Sequence, residues 1–314
     1  MPPESQQPLF TGLSSNALLA ITGDDAAKFL QGQLTNDVEA LELGQAQWNG
    51  WCSPKGRLLA TFLLLRRPEG FIAMLPAEIA PAIAKRLAMY VLRSRVKVRD
   101  ASAEFERYGV MGPGALQAVR HLTGTAPLPL QSLERDSLVS VALTEDLYLV
   151  LAPKGDTRAA GILEALGPRG NDAGWEHMLI RAGIPTIVAA TQEAFVPQMA
   201  NFELLGGVSF KKGCYTGQEI VARTQYRGIL KRRMAIAHVD APATPSPGQS
   251  VYSPAFGEQS AGTVVNAAPA PEGGYDFLVV AQIESLREGG LRLGSTDGAP
   301  VVIHSHPTAD PPAQ

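Results

Sequence analysis

The chain has 314 residues and a net charge of −3, with 45% hydrophobic and 18% charged residues. That length exceeds one ordinary core and implies two or three domains, and the mix is globular, not disordered. The charge balance excludes the global basic field of a sequence-independent nucleic-acid binder. The opening MPPESQQPLF lacks the basic and apolar regions of a secretory signal. The longest apolar run, LLATFLLLRR (58–67), falls far short of the ~20 residues that span a bilayer. A soluble, cytoplasmic protein without membrane contact is therefore expected. Cys52 and Cys214 are the only cysteines, too few for a disulfide framework or for ligating a cluster unaided. No zinc-type Cys/His spacing occurs. His304 and His306 read as a strand end entering a Pro-rich tail, so no metal site is expected.

In chain order, NALLAITG (16–23) alternates like a strand and DDAAKFLQ (24–31) follows as a short helix. AQWNGWCS (46–53) is a strand, SPKGR (53–57) a turn, and LLATFLLLRR and GFIAMLP (70–76) are two more strands. PAEIAPAIAKRLAMYVLR (76–93) has helical spacing, and SRVKVRD (94–100) is again a strand. The order then repeats. FERYGVMG (105–112) is a strand, a helix begins at Pro113, SLVSVAL (137–143) and DLYLVLA (146–152) form a hairpin, and TRAAGILEAL (157–166) is a helix. Two successive β-α-β-β-α units imply an α+β protein with ferredoxin-like lobes. AGWEHMLIRAGIP (173–185) is a helix ending at Gly183. Beyond Arg233 come short strands separated by Gly/Pro turns, the pattern of a small antiparallel β-barrel or sandwich.

Between these regions lies SFKKGCYTGQEIVAR (209–223). GGVSF (206–210) reads as a strand and KKGC as a turn. Thr216 and Glu219 have capping-box spacing, so a helix is expected from about Gly217 to Tyr226. Cys214 then sits just ahead of a helix N-terminus, beside Lys211 and Lys212, in conditions that favour a thiolate. From 209 to 233 the only acid is Glu219, which suggests an electropositive anion site. A Cys-His hydrolase would need His121, His177, His238, His304 or His306 to be brought to Cys214.

KKGCYTGQEIVAR resembles the signature of the YgfZ family of bacterial folate-binding proteins. FLQGQLTNDV (29–38), SPKGRLL (53–59), AGIP (182–185), FVPQMAN (195–201) and YRGILKRR (226–233) follow the same pattern in the same order. The resemblance implies the clover-like fold of the glycine-cleavage T-protein, an aminomethyltransferase, with ferredoxin-like lobes and a C-terminal antiparallel β-barrel. It implies a folate-binding region over 1–233, in lobes of about 1–100 with 171–233 and of 101–170. A barrel over 234–306 and a disordered tail over 307–314 complete the expectation. Folate (tetrahydrofolate or a derivative) is the implied cofactor, with Trp175, Asn16, Arg181 and Arg223 as its contacts. The implied chemistry centres on Cys214 with Lys212, Tyr215, Gln218 and Glu219. The T-protein carries acids shortly after a Lys-Gly like Lys55-Gly56, where this chain has Ala60 and Thr61, and related chains carry a glutamate where this one has Arg181. Two functions follow. The first is an accessory protein for assembly or repair of [4Fe–4S] clusters in client enzymes, such as radical-SAM enzymes that thiolate tRNA, with iron–sulfur client or assembly proteins as partners and tRNA only indirectly. The alternative is a folate-dependent one-carbon transferase acting on a small molecule.

Overall fold

The computed structural model describes residues 7–226, 228 and 230–305. His306 and the expected tail lie outside the described residues. The chain divides into two compact units, 1–31 with 37–48 and 62–178, and 32–36 with 49–61 and 179–314.

In chain order the first elements are β1 (Leu9–Gly12), β2 (Asn16–Thr22) and α1 (Ala26–Gln31). β3 (Ala46–Cys52), β4 (Leu58–Arg67), β5 (Gly70–Pro76), α2 (Ala80–Met89) and β6 (Lys97–Asp100) follow. Their sheet has the order β3-β4-β5-β2-β6, and β2 pairs antiparallel with both β5 and β6. Apart from β3, this is the strand order of a split β-α-β, with the first strand between the third and the fourth. The first eight residues of β4 are all buried, as a strand covered on both faces requires.

The second sheet is built from β7 (Phe105–Met111), α3 (Ala115–Thr123), β8 (Ser132–Arg135), β9 (Leu138–Ala142), β10 (Leu147–Pro153) and α4 (Arg158–Leu166). Its order is β1-β7-β10-β9-β8. The two sheets are the same arrangement written twice, with β8 in the place of β3 and β1 in the place of β6. The fourth position of the second sheet is thus filled from the chain start, with Leu9 opposite Met111, instead of by a strand after α4. The extra strands meet at their beginnings. Gln45 bridges Gln131, Ala46 N–H donates to Leu130 O (2.9 Å) and Ser132 N–H donates to Gly44 O (2.8 Å). α3 and α4 cover one face of the second sheet through Ala118, Val119, Leu122, Ala159 and Leu163, which pack with Phe10, Val110 and Tyr148.

α5 (Asp172–Arg181) leads into the second unit, which holds α6 (Gln218–Tyr226) and the C-terminal strands. These are β11 (Arg232–Val239), β12 (Ser250–Tyr252), β13 (Ser260–Pro269), β14 (Tyr275–Gln282), α7 (Ile283–Glu288), β15 (Arg292–Leu293) and β16 (Val301–Ser305). They form one six-stranded sheet, β15-β12-β13-β14-β11-β16. Register shifts interrupt three of its pairings, β11 with β16, β12 with β13 and β13 with β14, and bulges of this kind bend strands. Residues from all six strands converge on one core, Val251, Val264, Phe277, Val279, Leu293 and Val301 among them. The expected barrel is therefore a curled half-barrel sheet with β15 and β16 at its ends.

Candidate functional site

Three of the separated motifs, SPKGR, FVPQMAN and the 34–36 part of FLQGQLTNDV, meet on the segment that carries Cys214, within the second unit. The meeting begins with two glycines. Gly56, at φ +68°, and Gly217, at φ +83°, pack backbone against backbone. A Cβ on Gly217 would lie 2.4 Å from Ser53 O and 2.9 Å from Gly56 Cα, and a Cβ on Gly56 would lie 2.7 Å from Ile220 Cβ. Both positions need glycine for conformation and for space. The SPKGR turn is thereby pressed onto the start of α6. The positive φ of Gly217 also corrects the expected start of the helix. A residue in that conformation cannot be the first helical one after a Thr216 cap, so α6 opens at Gln218, with Val221 N–H donating to Gly217 O (3.3 Å).

Gln198 of FVPQMAN is buried and donates through Nε2 to Val221 O at 2.7 Å. Val221 is the only buried residue of α6. GGVSF is not a strand. It runs beside the segment 34–36, with Ser209 N–H donating to Thr35 O (3.0 Å), the Thr35 hydroxyl donating to Gly207 O (2.6 Å) and Asn36 Nδ2 donating to Gly206 O (2.6 Å). Lys212 is buried and donates through Nζ to Leu34 O (2.7 Å) and Asn36 O (2.8 Å), and its Nζ lies 5.2 Å from the centre of the Tyr215 ring. A lysine so engaged is a strut between two loops.

Cys214 is exposed at the end of this strut, whereas Cys52 is buried. Burial pushes the Cys52 thiol up to about 12. Tyr215, also buried, has its phenol pushed up, first by burial and then by Cys52. The segment thus alternates in role: Lys212 and Tyr215 face inward and anchor, while Gly213 and Cys214 are presented to solvent. Gln218 is half-buried, with Nε2 3.5 Å from Gly213 O, and Glu219 is exposed.

Ala60 and Thr61, which stand where the T-protein has acids, are both buried. The Thr61 hydroxyl donates to Pro185 O (3.1 Å) and accepts from Ile187 N–H (3.2 Å). Asn266 holds Thr186 from the other side, through Thr186 N–H (2.8 Å) and Thr186 O (2.9 Å). Thr61 has a structural duty, pinning the end of the AGIP segment.

The residues assigned to folate divide between the units. Asn16 and Trp175 fall in the first, Arg181 and Arg223 in the second. Trp175 is fully buried, with Nε1 unpartnered, and Gly109 lies against its ring so closely that a Cβ there would be 2.3 Å from Cε3. That indole face is packed on β7 and offers no stacking platform. Asn16 is also buried, and Arg181 and Arg223 are exposed.

The sequence reading missed Glu176. Its carboxyl lies deeper than its intermediate surface exposure suggests, and its pKa is pushed up to about 7, first by burial and then by the Asp172 carboxylate. The signal was present: Asp172 and Glu176 are like charges four residues apart on one helix face. Asp172 is engaged elsewhere, accepting from the Thr11 and Ser14 hydroxyls at 3.4 Å each. A near-neutral buried carboxyl fits a ring rich in N–H donors better than the packed indole does.

The electropositive run is thinner than its sequence implied. Lys212 is spent on carbonyls, and Arg233 pairs with the Glu203 carboxylate, an acid just outside the window that suggested the run. Lys211, Arg223 and Lys231 remain exposed. His238 and His304 share the unit of Cys214 but are gathered with Asp276 in the C-terminal sheet.

Residues 11–143 match the GCVT N-terminal domain family. The chain is 34% identical over 234 residues to the tRNA-modifying protein YgfZ of Vibrio vulnificus (strain CMCP6), covering 74% of this chain and 71% of that one. It is 34% identical over 263 residues to the Enterobacter sp. (strain 638) protein of the same name, at 82% and 80% coverage. The Edwardsiella ictaluri (strain 93-146) protein of that name is 33% identical over 281 residues, at 87% and 84%. The crystal structure of glycine cleavage system aminomethyltransferase T from Bartonella henselae superposes with a TM-score of 0.77 over 97% of this chain and 87% of that chain, at 17% identity, which shows the fold alone. With a mixed α/β fold of the T-protein kind and relatives aligned over most of its length, this chain belongs to the YgfZ family.

Proposed function

We propose that the chain is a folate-binding accessory protein for assembly or repair of [4Fe–4S] clusters in client enzymes, radical-SAM enzymes that thiolate tRNA among them. In this reading Cys214 is the group that meets the client. The observation that carries it is the convergence of SPKGR, FVPQMAN and the 34–36 loop on one segment whose exposed product is a thiol. Three loops and two positive-φ glycines hold a side chain that packs against little itself, an arrangement suited to presenting the thiol to a partner. The name of the relatives, tRNA-modifying protein, fits an indirect effect on tRNA. A net charge of −3 does not suit a broad tRNA-docking surface.

Folate supplies one-carbon or redox chemistry when bound. Its ring suits the buried Glu176 carboxyl, and an exposed arginine such as Arg181 or Arg223 is of the kind that pairs with a carboxylate. Trp175 does not fit as a stacking partner. The alternative, a one-carbon transferase, is disfavoured by Ala60 and Thr61, because Thr61 is committed to Pro185 and Ile187. Cys214→Ser, introduced in the source organism, tests the reading. A [4Fe–4S] client should lose activity while the level of folded protein is unchanged, and an unaffected client would refute it. Turnover of a reduced folate with a one-carbon donor by the purified protein would favour the alternative.

A further inference from the structure

We propose that His238, Asp276 and His304 form a binding site for one divalent transition ion of the zinc class, which fastens the last strand of the C-terminal sheet. The three residues lie on the neighbouring strands β11, β14 and β16. One donor atom from each lies within 4.8 Å of the others. His238 Nδ1 is 2.8 Å from Asp276 Oδ1, and His304 Nε2 is 3.8 Å from the same oxygen. A tetrahedral ion with bonds of ~2.0–2.2 Å sets its ligand atoms about 3.3 Å apart, so the cluster needs shifts of well under an ångström along these two distances.

Two features set this apart from an ordinary imidazole–carboxylate pair. The first is how His304 arrives. Ile236 faces Ser305 and Ala237 faces Ile303, so His304 is the extra residue of a bulge in β16, and a bulge re-aims a side chain. It brings a second imidazole to within 5.7 Å of the first, centre to centre. Two such rings repel if both are protonated, and they gain if a cation lies between them. The second feature is Asp240, whose Oδ1 is 3.6 Å from His238 Nε2, the nitrogen left over when Nδ1 binds. A carboxylate at the far nitrogen of a ligating histidine fixes its tautomer and raises its basicity. Two imidazoles with one carboxylate select zinc, cobalt or nickel over magnesium or calcium, and three protein ligands leave one position for water.

The test uses tag-free full-length protein, stripped with a chelator and titrated with Co2+ and Zn2+. One equivalent of Co2+ should bind with the visible absorption of a four-coordinate site, and Zn2+ should displace it and raise Tm. His304 is 46% exposed, so His304→Ala should fold normally. It should lose binding by more than the ~10–100-fold that loss of an outer partner costs, while Asp240→Asn should weaken binding by about 10-fold. Absence of Co2+ binding to the stripped protein would overturn the proposal. Binding unchanged in both His304→Ala and Asp276→Asn would also overturn it.

Discussion

Replacing Glu176 by glutamine is expected to stabilise the protein at neutral pH, and to do so less as the pH falls. The carboxyl titrates at about 7 against an ordinary 4.5, so the folded protein holds this proton more tightly than the unfolded chain does. Glu176 therefore adds stability below 4.5, and that contribution is lost as the pH rises through 7. The full interval corresponds to roughly 3 kcal/mol, at about 1.4 kcal/mol per tenfold in proton affinity. Glutamine keeps the shape and has no proton to lose. Because solvent reaches part of the side chain, about 1–2 kcal/mol of the gain should develop between pH 5 and pH 7. Urea unfolding of both proteins at pH 5, 6, 7 and 8 measures it. Stability differences that stay flat across that range would refute the claim that burial and Asp172 disfavour the charge of Glu176.

The same variant should bind reduced folate at least about 10-fold more weakly, because the amide replaces one acceptor oxygen by an N–H donor, whereas Trp175→Phe should change affinity little. Equilibrium dialysis distinguishes the two, and the opposite ranking would restore Trp175 as the ring's partner. Iodoacetamide on the native protein should modify Cys214 alone, with Cys52 reacting only in denaturant, as peptide mass spectrometry would show. Gly109→Ala puts a Cβ into the Trp175 ring and should cost about 1–3 kcal/mol by chemical denaturation. Gly217→Ala should destabilise the protein and change the rate of Cys214 alkylation, because the SPKGR turn must retreat from α6.

The regular elements were legible where one period ran long enough. β4, β5 and β10 carry long, mostly apolar runs, and α3 and α4 carry helical spacing, so their bounds in the sequence and the structure nearly coincide. β1, β8 and β15 have four, four and two residues, too short for any periodicity, and their existence depends on distant partners. That is why the borrowed position of β1 in the second sheet could not be foreseen. The candidate site was legible as a list of motifs but not as roles. Lys211 and Lys212 look alike in the sequence, yet one is exposed and the other spans two carbonyls of a loop 176 and 178 residues away. Trp175 and Glu176 are adjacent, and the aromatic attracted a ligand reading that its burial does not support. The grouping of His238 with Asp276 and His304 depends on sheet register and a bulge, which spacing along the chain does not reveal.

The central claim is that the presented thiol of Cys214 serves iron–sulfur enzymes. Its most direct test is the thiolated-nucleoside content of tRNA, measured by mass spectrometry in the source organism carrying wild-type protein, Cys214→Ser or Cys52→Ser. The account predicts a loss of tRNA thiolation in Cys214→Ser comparable to deletion of the gene, with near-normal content in Cys52→Ser wherever that protein accumulates. Normal thiolation in Cys214→Ser, against a clear defect in the deletion, would contradict it.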